Sequence, residues 1–111
     1  MTQEQSWGPR FDHELSMALA ARKRGNEGRA RVCARRAAGV VLEEYFHRLD
    51  LPLNTASAIE RLRAFTGLPG VPPEALELAQ HFLLHVDVDH SLPEEIDLIA
   101  EAQRLRAILL G

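Results

Sequence analysis

Cysteine is almost missing from this chain. Of 111 residues only Cys33 carries a thiol, so no disulfide can form within it, and the composition fits a reducing compartment. Aromatic residues are few, at 5%, which counts against a surface that stacks successive nucleobases. No apolar run exceeds six residues, Ala37 to Leu42, well short of the ~18 a membrane span needs. Residues 1–15 hold no signal-peptide core, so the expected setting is cytoplasmic, with no membrane partner. Basic residues do not dominate: 13 Lys and Arg stand against 16 Asp and Glu, a net charge of −3. That argues against a surface built throughout to neutralise nucleic acid. Strand-like alternation is confined to Val86-Asp-Val-Asp, and no Gly-rich phosphate loop, nucleophile elbow or Walker motif occurs.

Helix signals fill the chain instead. With 46% hydrophobic and 26% charged residues, its length suits one domain. Residues 1–9 read as a flexible tail ending in Gly8-Pro9, from which Trp7 folds back. Residues 10–111 read as a single helical-bundle domain. Phe11, Leu15, Ala18 and Leu19 share a helical face, and helix one stops at Gly25-Asn26. Helix two, from about Glu27 to Leu49, is apolar round most of its circumference, which marks it as the central helix. Its polar stripe is Arg29, Arg36, Glu43, His47 and Asp50. Pro52 ends it. A short helix three starts near Thr55 after Asn54, with capping-box spacing from Ser57 to Glu60, and turns Ala56, Ile59, Leu62 and Phe65 inward. Helix four opens at Pro73-Glu74 and buries Leu76, Ala79, Leu83 and Val86. Helix five opens at Pro93 with Glu94, Glu95 and Asp97 in its first turn, and presents Ile96, Ile99, Ala102, Leu105, Ile108 and Leu109. The fold expected is all-α: an antiparallel four/five-helix up-and-down bundle with one short helix and a central helix two.

Charge is divided between two regions. Seven of the 13 basic residues lie between Arg22 and Arg36, none lies between Ala64 and Gln103, and eight acids fall between Glu74 and Glu101. Solvated faces with partial internal neutralisation are the simplest reading. Arg31 and Arg35 stand apart because their wheel angles are those of Leu42, Tyr45, Phe46 and Leu49. Guanidiniums on an apolar side need partners: either Glu94, Glu95 or Glu101, or an anion such as phosphate bound in a groove.

The stretch from His81 to His90 resembles a ligand set, since His81 and His85 lie one turn apart with Asp87 and Asp89 following. A metal-dependent enzyme using His81, His85 and Asp89 is therefore one alternative, although Phe82 stands where zincins carry Glu. Capping and surface roles suit these histidines better. Glu44 and His47 have the spacing of a di-iron motif without its second copy, and Glu44 with Arg48 makes an ordinary helical ion pair. Cys33, among Val32, Ala37 and Val40, reads as a buried hydrophobe. No catalytic residue, metal site or cofactor is assigned.

The segment Ala18 to Tyr45 has a small polar turn and then a helix that starts basic, becomes alanine-rich and continues aliphatic and aromatic. It resembles the second-helix region of HEPN-type domains. The short helix from Asn54 and the last two helices fit that layout over residues 10 to 110. The resemblance implies a bundle of four main helices, usually homodimeric, that binds or accompanies a minimal nucleotidyltransferase, or cleaves RNA. The RNase branch carries Arg four to six residues before His, and none of His13, His47, His81, His85 and His90 has one. The function expected is thus a non-catalytic HEPN-like interaction module. It would bind a nucleotidyltransferase-like partner or a nucleotide-like anion through Arg29, Arg31, Arg35 and Arg36. RNA binding without cleavage is a further alternative.

Overall fold

A computed structural model describes residues 6–51, 53–84 and 96–111. Among these residues five helices follow in order: α1 (Trp7–Lys23), α2 (Glu27–Arg48), α3 (Ala58–Thr66), α4 (Pro73–Leu83) and α5 (Leu98–Leu110). Among the described residues there is no strand.

The tight link between α1 and α2 follows from three residues. Gly25 takes φ +81°, a left-handed conformation that costs glycine no steric penalty. Its N–H donates to the Arg22 carbonyl, and the Asn26 N–H to the Ala21 carbonyl, each at 2.9 Å. Together these form a Schellman closure. Asn26 then caps α2, its side chain accepting from the Arg29 N–H at 3.0 Å. The expected boundary at Gly25-Asn26 is therefore two signals in tandem, a stop and a start. α2 closes in the same manner, with Asp50 at φ +61° and the Leu51 N–H donating to the Phe46 carbonyl.

Three boundaries differ from expectation. α1 starts at Trp7, so Trp7, Gly8 and Pro9 belong to a helix and not to the tail; Pro9 is tolerated because first-turn amides lack helical acceptors. α3 starts at Ala58, not Thr55, because Ser57 accepts the Glu60 N–H at 3.2 Å and acts as the cap. Glu60 instead accepts the Thr55 hydroxyl at 2.7 Å. α5 starts at Leu98, behind Asp97, whose carboxylate accepts from the N–H groups of Ile99 and Ala100. The expected start at Pro93, with Glu94 and Glu95, lies outside the described residues.

Polar contacts between helices give their directions. Arg10 near the start of α1 meets Glu43 near the end of α2 at 2.7 Å, while Arg22 meets Glu27 at 2.7 Å, so this pair is antiparallel. Glu74 with Arg104 and His81 with Glu101 make α4 and α5 antiparallel as well. Arg22 reaches Asp97, and the Leu110 carbonyl accepts from Arg48, so α5 runs parallel to α2. α2 packs against α1, α5 and α3, and α4 packs against α3 and α5. α2 is thus the shared neighbour of three helices.

Its burial matches that position: Ala30, Cys33, Ala34, Ala37, Ala38, Gly39, Val40, Val41, Leu42 and Phe46 are buried. Val32 and Leu49, read as part of the apolar circumference, are exposed. The expected polar stripe faces water except for Glu43, which is half-buried beside Arg10 and Arg61. All four phenylalanines, one on each of α1 to α4, are almost fully buried. Tyr45 sits edge-on to Phe46 and Phe65, with ring centroids 6.3 and 5.8 Å away. α4 buries Ala75, Leu78, Ala79 and Phe82; of the expected set Ala79 is buried while Leu76 and Leu83 are not, and Val86 lies outside the described residues. α4 packs on both α3 and α5, and the rotation that fully buries Phe82 leaves Leu76 and Leu83 half-buried. A radius of gyration of 13.5 Å agrees with the ~13 Å of a compact domain of this length.

Candidate functional site

α2 carries the four arginines of the expected site, and its geometry splits them. At about 100° per residue, Arg29 and Arg36 fall on one line, and Arg31 and Arg35 on another roughly 100–160° away. Exposure follows the same division: Arg29 and Arg36 are exposed, whereas Arg31 and Arg35 are half-buried. The four do not converge on one point. The pair that shares a surface is Arg31 and Arg35, one turn apart, a spacing of ~5–6 Å between Cβ atoms.

Arg35 is held by its Nε, which donates to the Phe82 carbonyl at 3.0 Å. That carbonyl belongs to the last turn of α4, where the helix dipole favours a cation. Burial lowers the proton affinity of the Arg35 guanidinium, and the charge of Arg31 lowers it further. Among the described residues, no carboxylate reaches Arg29, Arg31, Arg35 or Arg36 within ion-pair distance. The Nη groups of Arg35 have no hydrogen-bond partner there either. A guanidinium remains protonated at any ordinary pH. Two like charges therefore share a partly dehydrated surface with donors to spare, an arrangement that suits an anion with several acceptor oxygens.

The described acids of α4 and α5 pair elsewhere. Glu101, one of the expected partners of Arg35, lies 2.7 Å from His81 Nδ1. Glu74 accepts a bidentate contact from Arg104 at 2.7 and 3.0 Å. Among the described residues, Arg22 alone of the basic cluster takes a partner from the acidic region, donating to Asp97 at 3.0 Å. Glu94 and Glu95 lie outside the described residues.

His81 is part of an α4–α5 contact, with Glu77 3.9 Å from its Nε2. Among the described residues no three His, Cys, Asp or Glu side chains form a metal-binding group, and His85 and Asp89 lie outside them. Glu44 and Arg48 form the expected helical pair at 3.0 Å, and Cys33 is buried. Among the described helices none is long and apolar enough to cross a membrane.

Sequence reasoning missed Phe82 as a partner, since a backbone carbonyl has no sequence signature. It also missed Arg61, whose Nε and Nη2 donate to the Thr55 carbonyl and Nη1 to that of Gly39. No family model, curated protein or solved structure matches this chain.

Proposed function

We propose that this chain is a non-catalytic HEPN-like interaction module, an antiparallel four/five-helix up-and-down bundle. Its site is the Arg31–Arg35 pair, and its ligand is a phosphate group such as a nucleotide carries. The alternating directions of α1, α2, α4 and α5, with α3 as a short connector, support the bundle reading. One observation carries the ligand reading: two half-buried guanidiniums one turn apart have no carboxylate within ion-pair distance among the described residues, and Glu27, the acid that feels the charge of Arg31, is itself held by Arg22. Their dehydration and mutual repulsion favour an anion, which relieves both. Phosphate oxygens match the fork of a guanidinium better than a halide does.

Thermal unfolding in phosphate or AMP against chloride at equal ionic strength tests this. A ligand at roughly a hundred times its Kd stabilises by ~2.7 kcal/mol, which raises Tm by about 10 °C for a domain of this size. The shift should vanish in Arg31→Gln and persist in Arg29→Gln and Arg36→Gln, which alter the other line of the helix. Equal Tm in phosphate and chloride, or an undiminished shift in Arg31→Gln, overturns the assignment.

A further inference from the structure

Far along α2 from Arg31, the start of α1 and the end of α5 flank an open cleft of about 380 Å³, lined by Trp7, Gln103, Arg106, Ala107, Leu110 and Gly111. That volume lies within the ~300–1,000 Å³ of small-molecule sites. Its walls combine an indole, two aliphatic side chains, one amide and one guanidinium, the apolar-with-few-polar composition that such sites share.

Arg106 is fixed in the cleft by two rings. Its guanidinium carbon lies 4.7 Å from the Trp7 ring centroid and 4.9 Å from that of Phe11. A second cation, Arg48, lies 6.0 Å from the Trp7 ring, with its Nε committed to Glu44. The carboxylate on Arg106 is Asp12 at 3.3 Å, whose side chain is 70% exposed. This contact is longer than the 2.7–3.0 Å pairs of Arg10, Arg22, Arg48 and Arg104. An ion pair so exposed contributes little, so Asp12 is readily exchanged for another carboxylate. The guanidinium itself is pre-positioned, which removes much of the ordering cost of binding.

We propose that this cleft binds a small molecule joining an apolar body to a single carboxylate. The carboxylate takes the Arg106 fork in place of Asp12, and the body, a short chain or one ring, lies against Trp7, Ala107 and Leu110. The site shares no residue with the Arg31–Arg35 pair, so each assignment stands or falls alone.

Trp7 is the single tryptophan of the chain, and its fluorescence reads the cleft directly. Titration with octanoate should give a saturable change with Kd below about 1 mM, and octan-1-ol should bind at least about tenfold more weakly. Asp12→Asn removes the competing carboxylate and should tighten octanoate several-fold. Ala107→Phe, at an exposed wall position, fills the cleft and should abolish binding in a protein whose unfolding curve is unchanged. Arg106→Gln should reduce octanoate binding to the level of the alcohol. No saturable change with octanoate, equal affinity for acid and alcohol, or full binding by Ala107→Phe overturns the proposal.

Discussion

Between α2 and α3 at position 39 there is less room than one methyl group occupies. A Cβ on Gly39 would lie 2.8 Å from the Ala58 Cβ and 3.1 Å from the Ala58 Cα, and the second of these atoms is backbone that moves only with its helix. Helix propensity alone predicts that Gly39→Ala stabilises by about 1 kcal/mol. Overpacking costs ~1–3 kcal/mol, and the helices must also part where Arg61 bridges them through the Gly39 carbonyl at 3.2 Å. The expected outcome is a net loss of about 1–2 kcal/mol in urea unfolding, most of it recovered in Gly39→Ala/Ala58→Gly. A stabilised single variant would show that the helices do not approach so closely. Arg61 is 13% exposed in its side chain, and its planar fork spans the Thr55 and Gly39 carbonyls together, a geometry that lysine cannot reproduce.

Single caps set the limits of the helices. Asp97 does two jobs: it caps α5 through Ile99 and Ala100 and accepts from Arg22 at 3.0 Å. Asp97→Ala should therefore cost about 1–2 kcal/mol in urea unfolding. Asp97→Asn keeps the cap, loses the partly exposed charge pair, and should cost less than about 1 kcal/mol. Equal losses in the two variants would mean that the charge pair, not the cap, is what Asp97 contributes. Caps were legible as residue types but not as choices. Asn54, Thr55 and Ser57 all suit an N-cap, and Ser57 prevails because the helix behind it must place Leu62 and Phe65 in the core. Trp7 lies in α1 with its ring covered by the Arg106 side chain of α5, a partner about a hundred residues away in sequence that no local pattern shows.

Across the whole molecule, acids and bases pair between helices. Arg22 beside Glu27 and Arg104 beside Glu74 hold both carboxyls below their ordinary value of 4.5, mainly through hydrogen bonding to the guanidinium. A carboxyl with a lowered folded pKa adds stability that is present above its unfolded value and lost as pH falls through its folded one. The advantage of wild type over Glu27→Gln and Glu74→Gln should accordingly be constant from neutral pH to about 4.5 and disappear in stronger acid. Thermal unfolding across that range checks it. Both pairs are exposed enough for solvent to screen them, so the effect is small; a difference that grows on acidification would contradict the assignment.

Periodicity and composition alone determined that this chain is helical, that the described residues hold five helical segments and that Glu27 to about Leu49 is the most buried of them. An apolar residue must be covered wherever it falls, and its spacing records which side that is. Tertiary structure decided which flank of α4 turns inward, where α1, α3 and α5 begin, and which acid each arginine meets. Arg31 and Arg35 show why. Their spacing already placed them together on the apolar side of α2, but a carboxylate of α5 could have reached them equally well by sequence. Glu101 lies against His81 instead, because side chains pair with what the packed helices bring near, and that proximity exists only once the helices are in place.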